Sequence, residues 1–394
     1  MDYPERFENL PLYAFSRLRE LLDGVEPGDR EISMTIGEPR HSFPEWVTDI
    51  IVQNAGGFND YPSNDGVPEL KKQIVNWLQR RYSVSLDPQM NILALNGTRE
   101  GLYNSLIALC PEQKNNSRPI ILIPNPFYQV YMASSLTVNA EPYFVEAAPQ
   151  NNHFPDFSAV PKDILRRTTA VYLCSPSNPQ GAVATSEYWI ELLNLAEQYD
   201  FTIFADECYS EIYRDQAPPG ALEALNKITA NPERLVVFHS LSKRSNLPGL
   251  RSGFLATGPE NLKRMSQLKS YGGAPLPKPL QYAAAAVWSD EEHVKENRKL
   301  YAAKYKLADD ILSGLEGYSS PEAGFFLWIK VQDSEKTTLD LWRETGVRVL
   351  PGAYLAQEKN GKNPGQDFIR VALVAQQKIT GEALAKIRSF LEKQ

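Results

Sequence analysis

Between residues 91 and 256, short unbroken apolar runs alternate with longer stretches whose apolar residues recur every three or four positions. The runs at 92–95, 120–123, 142–145, 170–174, 202–205, 235–238 and 253–256 have the length and composition of buried strands. The intervening 99–110, 126–136 and 186–199 carry a helical period. This alternation predicts an α/β fold, a mostly parallel sheet flanked by helices. Upstream, 66–81 predicts an amphipathic helix with Leu70, Ile74, Trp77 and Leu78 on one face. Downstream, one long helical stretch spans 279–315. Strands at 324–331 and 368–373 and helices at 338–345 and 380–393 follow it. A large domain over 46–285 is expected, with a smaller α+β domain made of 1–45 and 286–394.

Composition narrows the classes. The 394 residues are 42% hydrophobic, enough for a large core, with 41 basic against 48 acidic side chains. A net charge of −7 advertises no basic surface for nucleic acid or an anionic membrane. Cys110, Cys174 and Cys208 are scattered in apolar sequence, and the four histidines (His41, His153, His239, His293) lack metal spacing. Neither a disulfide framework nor a metal site is expected, and the cysteines read as small buried hydrophobes. Met1-Asp2-Tyr3-Pro4-Glu5 has neither the charge nor the apolar core of a signal peptide. A cytoplasmic location is expected.

Candidate chemistry sits at the carboxyl ends of the expected strands, where open α/β sheets gather ligands. After 92–95 come Gly97, Thr98 and Arg99 at a helix start, suited to a phosphate, although Thr98 also reads as an ordinary N-cap. After 120–123 comes Tyr128, an aromatic for a flat heterocycle or for the core. After 170–174, Ser175-Pro176-Ser177-Asn178-Pro179-Gln180-Gly181 presents Asn178, whose amide can donate to a phenolate. After 202–205 comes Asp206, with Tyr209 three residues on. A carboxylate at a buried strand end needs a partner such as a protonated pyridine nitrogen, or an ordinary cap or ion pair. After 235–238 comes Ser240-Leu241-Ser242-Lys243, with Arg251 eight residues further. Such a lysine can form a Schiff base with a carbonyl cofactor while the hydroxyls and guanidinium hold a phosphate, and pyridoxal 5′-phosphate needs both.

The five groups in this order resemble the class I/II aminotransferases of the fold-type I pyridoxal-phosphate enzymes, over essentially the whole chain. The resemblance implies that Lys243 binds the cofactor covalently and that Asp206 pairs with its ring nitrogen. It implies further that Tyr209 and Asn178 bond the phenolic oxygen, and that Tyr128 stacks on the ring. Gly97, Thr98, Arg99, Ser240, Ser242 and Arg251 would then form the phosphate cup, Thr98 and Arg99 through backbone N–H groups. Tyr61, in Asp60-Tyr61-Pro62, matches the tyrosine that reaches a neighbouring subunit's phosphate, which implies a homodimer with shared active sites. Arg370 matches the arginine that grips the substrate α-carboxylate, and Gly37 the segment that closes over the substrate. Lys243, Asp206 and Tyr209 would be catalytic, and Gly37, Asn178 and Arg370 would bind substrate. The amine of Lys243 is expected to be far less basic than the ~10.4 of a free lysine.

The blocks Ser240–Gly253 and Leu10-Pro11-Leu12-Tyr13-Ala14-Phe15-Ser16-Arg17-Leu18 are similar to the bacterial N-succinyldiaminopimelate aminotransferase branch. That likeness implies ping-pong exchange of N-succinyl-LL-2,6-diaminopimelate and 2-oxoglutarate for N-succinyl-2-amino-6-oxopimelate and glutamate, in lysine biosynthesis. Distal carboxylates call for extra cations, and Arg17, Arg40, Arg244 and Lys278 are the candidates by location. The alternatives are an aminotransferase for alanine, aspartate, an aromatic amino acid or N-acetylornithine, or a lyase or decarboxylase of the same fold. A cofactor-binding regulatory module is a further alternative, and no attached basic helix-turn-helix segment supports it.

Overall fold

The computed structural model describes residues 5–8, 10 and 12–394. Residues 1–4 of the segment tested as a signal peptide, and Pro11 of the Leu10–Leu18 block, lie outside the described residues. Seven strands form the central sheet: β1 Ile92–Leu95, β2 Ile120–Asn125, β3 Glu141–Glu146, β4 Thr168–Cys174, β5 Thr202–Asp206, β6 Leu235–Ser240 and β7 Gly253–Thr257. Their order is β1-β7-β6-β5-β4-β2-β3, with β7 antiparallel to both neighbours and every other pair parallel. The six strands other than the β3 edge are buried along almost their whole length because helices cover both faces. Trp77, Trp189 and Trp288 pack one face, and Leu102, Leu106, Tyr131 and Met265 the other. Only the edge strand β3 is half-buried along its length.

Because β7 runs against its neighbours, its first residue lies beside the last residues of β1 and β6: Gly253 pairs with Leu95 and with Ser240. The loop that enters β7, with Arg251, therefore reaches the same sheet edge as the loops that leave β1, β2, β4, β5 and β6.

The remainder forms a second layer. Strands β8 Phe326–Lys330, β9 Leu350–Pro351 and β10 Phe368–Ala372 make an antiparallel sheet in the order β9-β10-β8. Ile32–Ser33 pairs in parallel with Val347–Arg348, so the N-terminal segment packs on the C-terminal unit. The 279–315 stretch is two helices, Lys278–Ser289 and Glu292–Leu312. The interruption has a local cause, since Asp290 accepts from the His293 N–H at 3.1 Å and caps the second helix. Ala283, Ala284 and Trp288 of the first helix belong to the large core, whereas Tyr301, Tyr305 and Ala308 of the second belong to the small one. We propose the domain boundary at this turn rather than at 285/286. No described helix is long and apolar enough to cross a membrane.

Candidate active site

A cavity of about 420 Å³ opens at the carboxyl edge of the large sheet, walled on its far side by Ile36, Gly37, Glu38, Phe326 and Arg370. Thr98, Arg99, Tyr128, Asn178, Asp206, Tyr209, Ser240, Ser242, Lys243 and Arg251 all line it. Of the residues expected here, Gly97 and Tyr61 are not in its lining.

Gly97 acts through its missing side chain. Its φ is +83°, and a Cβ built there would overlap the Arg251 guanidinium, with Cζ at 2.7 Å. Arg251, itself left-handed at φ 55°, donates to the Pro248 carbonyl at 2.7 Å. The Ser240 hydroxyl accepts the Ser242 N–H at 3.1 Å and lies 2.9 Å from the Ser242 hydroxyl. One end of the cavity thus gathers a guanidinium, hydroxyls and a helix start, a donor set suited to a phosphate.

At the other end Asp206 closes β5, 6% exposed. Burial pushes its carboxyl above the usual carboxylate range, and hydrogen bonds from Cys208 and Tyr131 oppose that shift. The Tyr131 hydroxyl donates to Asp206 Oδ2 at 2.8 Å, deep in the core. Sequence reading missed Tyr131. The signal was its place one helical turn after Tyr128, which turns its ring back onto the sheet. Cys208 was also missed; its thiol lies 3.2 Å from the Thr98 hydroxyl. Cys174 and Cys208 line the cavity and also pack against the small core.

Lys243 donates to the Gly37 carbonyl and lies 5.4 Å from the Phe325 ring centroid. Burial, and behind it the Arg370 charge, lower its amine to about 8 against a partial counterweight from Cys208, Glu38 and Asp206. Tyr209 is buried with its ring edge-on to Phe325, and burial raises its phenol.

Arg370, on β10, is 4% exposed. Its Nη1 donates to Asn178 Oδ1 at 3.0 Å and its Nη2 to the Thr35 carbonyl at 2.8 Å. Its Cζ lies 4.2 Å above the Phe326 ring, and its Nε has no partner. No carboxylate pairs with it among the described residues. Burial alone pulls this arginine down to about 10. A buried guanidinium without a counter-ion is costly, so the site is built for an anionic ligand. Because Asn178 Oδ1 faces Arg370, its amide NH₂ is left to donate elsewhere.

None of the four expected distal cations lines the cavity. Arg17 pairs with Glu335 at 3.3 Å and stacks on Tyr354. Lys278 pairs with Asp60 at 2.9 Å. Arg40 is exposed outside the lining. Arg244 is buried against Trp288, donating to Glu291 at 2.7 Å and to the carbonyls of Val287 and Asp290. It follows Lys243 within a helical turn, so its side chain leaves about 100° away from the cavity. The lining cations are instead Arg99, Lys243, Arg251 and Arg370, and the carboxylates Glu38 and Asp206. The exposed Arg99 side chain donates to the Tyr128 hydroxyl at 2.8 Å. Tyr61 is fully exposed at 101%.

A family model described as aminotransferase class I and II matches residues 29–387. The LL-diaminopimelate aminotransferase of Moorella thermoacetica is 30% identical, over 100% of this chain and 99% of its own. An aminotransferase from Neisseria meningitidis superposes with a TM-score of 0.93 at 37% identity, covering 98% of this chain and 99% of that one. The aminotransferase AspB of Helicobacter pylori superposes with a TM-score of 0.90 at 30% identity, covering both chains fully.

Proposed function

The chain belongs to the class I and II aminotransferases, pyridoxal-phosphate enzymes of fold type I, and from that premise we propose that it transaminates an amino acid of the diaminopimelate skeleton. The favoured substrate is N-succinyl-LL-2,6-diaminopimelate, with 2-oxoglutarate as acceptor and glutamate as the product amino acid. The observation that carries the reading is Arg370, a buried guanidinium with an unpartnered Nε and no carboxylate of its own beside a lysine of lowered basicity.

The cofactor supplies an electron sink that lets a C–H bond at the substrate α carbon ionise. Ser240, Ser242, Arg251 and the helix start at Thr98 would hold its phosphate, and Lys243 would anchor its aldehyde. Asp206 would keep a proton on the ring nitrogen. Tyr131 and Cys208 favour the ionised carboxylate that this role needs, against its burial. The Asn178 amide and the Tyr209 hydroxyl would donate to the phenolic oxygen. Arg370 binds the α-carboxylate through its planar fork, and Asn178 fixes the plane of that fork. Once the substrate amine displaced Lys243 from the cofactor, the α C–H so oriented would face the freed Lys243 Nζ, which would take the proton and return it. An amine near 8 is neutral often enough at neutral pH to act as that base.

The skeleton is supported by what remains of the lining. Once Lys243, Arg251 and Arg370 are assigned, Arg99, which donates to the Tyr128 hydroxyl, is the remaining arginine or lysine among the described lining residues to meet a distal carboxylate. Tyr13, Ala14, Phe15 and Ile36 form an apolar wall along which a long acyl chain can lie. The second reading is free LL-diaminopimelate, favoured by Glu38, a lining carboxylate suited to a distal ammonium, and by the activity named for the Moorella relative.

We propose a cytoplasmic location and a homodimer; the full exposure of Tyr61 and the exposed neighbouring Val52 and Phe58 support the homodimer. An amino-donor screen with N-succinyl-LL-diaminopimelate, LL-diaminopimelate, N-acetylornithine, aspartate, alanine and tyrosine tests the substrate. The succinylated compound should lead in kcat/KM. A lead of tenfold or more by another donor, about 1.4 kcal/mol of transition-state binding, would replace it.

A further inference from the structure

A second polar cluster lies behind the loop that carries Lys243, and no step described above uses it. It joins three parts of the chain: His41 of the N-terminal segment, Asn297 and Lys304 of the helix Glu292–Leu312, and the backbone of Lys243 and Arg244. Asn297 and Lys304 are 3% and 2% exposed. Two helical turns separate them, so both face the same way.

The hydrogen-bond directions can be worked out from one end. The carbonyls of Lys243 and Arg244, at 3.4 and 3.2 Å, can only accept, so Asn297 must present its NH₂ to them. Its Oδ1 then faces His41 Nδ1 at 3.0 Å and must accept. The Asn246 amide donates to the same oxygen at 3.1 Å, which agrees with that orientation. His41 therefore carries its proton on Nδ1, and its Nε2 must accept from Lys304 Nζ at 2.7 Å. Lys304 also donates to the Leu373 carbonyl at 3.0 Å, directly after the strand that carries Arg370. Every link has one permitted direction, and no carboxylate pairs with Lys304 among the described residues.

We propose that Lys304, His41 and Asn297 are positioning residues, a directional hydrogen-bond chain that holds the Lys243 loop in register with residues 37–42 and with the Arg370 strand. Lys243 and Arg370 come from different folding units, yet both must address one substrate. The chain spans that junction, and it ends on the segment whose Gly37 carbonyl accepts from Lys243 Nζ. This inference rests on the reading of Lys243 and Arg370 as the base and the carboxylate clamp.

The test uses the holoenzyme with Lys304→Met, with His41→Asn, and with the two combined. Asparagine can still donate to Asn297 from the Nδ1 position but offers nothing at Nε2, so it cuts one link without disturbing the buried helix. Each single variant should lower kcat with glutamate about tenfold while cofactor affinity stays within twofold. The double variant should fall no further than the weaker single. Hydrogen–deuterium exchange should rise in peptides covering both 36–42 and 241–247 in each variant. Unchanged kcat in His41→Asn, losses that multiply in the double variant, or faster exchange confined to the substituted element would overturn the proposal. A failure of Lys243 to bind the cofactor would sink the functional reading while leaving the exchange result intact, so the two failures are distinguishable.

Discussion

Gly97→Ala should damage cofactor binding more than folding, because of where the added methyl falls. Gly97 sits at φ +83° between β1 and the helix Thr98–Leu109, and a Cβ there would overlap the guanidinium of Arg251. With ψ at 149° this backbone lies in an essentially glycine-only region that costs any other residue about 1–3 kcal/mol, which appears as lost stability. The clash itself is relieved by the far end of a flexible side chain, so Arg251 swings out and the fold survives. What is lost is a charged hydrogen bond to the phosphate, about 1.5–3 kcal/mol. Cofactor affinity should therefore fall roughly 10- to 150-fold. Titrating apoprotein with pyridoxal 5′-phosphate, followed by tryptophan fluorescence, gives the dissociation constant. Arg251→Ala should weaken binding by a similar factor without the backbone cost, and the double variant should bind no worse than Gly97→Ala alone. Gly97→Ala binding within twofold of wild type would refute the assignment of Arg251 to the phosphate. So would a loss that Arg251→Ala does not reproduce.

Arg370→Lys should raise the KM for glutamate at least tenfold with little change in melting temperature, since a lysine keeps the charge but cannot make two parallel bonds; unchanged KM in steady-state kinetics would contradict the clamp. Lys243 is lowered chiefly by burial and then by Arg370, so the rate of the glutamate half-reaction should fall as pH drops through about 8. Arg370→Met should move that limb to higher pH, and stopped-flow traces across pH would expose a fixed limb. The same burial makes Lys243 a stability cost: its folded pKa lies below its unfolded one, so the cost is complete below about pH 8 and disappears toward 10.5. Lys243→Met apoprotein should therefore melt higher than wild-type apoprotein at pH 7, by a margin that closes at alkaline pH. A lower melting temperature at pH 7 would show that the ammonium is well solvated.

The central strands were legible because strands covered on both faces must be apolar throughout, and β1 and the helix Ser186–Tyr199 begin and end where the pattern places them. The shared address of Asn178, Asp206 and Lys243 followed from the carboxyl-edge rule for parallel strands. Arg251 reached that edge for a reason no periodicity carries, the reversed direction of β7. The distal cations were misjudged because nearness in sequence does not say which way a side chain leaves its helix. Arg244, next to Lys243, turns into the core against Trp288. Tyr131 and the His41–Asn297–Lys304 chain depend on contacts between remote segments, which local spacing cannot display. The break at Asp290 depends on a single capping contact inside an otherwise helical pattern.

The central claim is that the amine of Lys243 carries the cofactor as a covalent adduct. Borohydride reduction of the holoenzyme, then proteolysis and mass mapping, reads that bond directly. The account predicts one stable cofactor adduct, on the peptide that contains Lys243, and none in Lys243→Met. An adduct on a different lysine, or holoenzyme that releases all its cofactor after reduction, would contradict it.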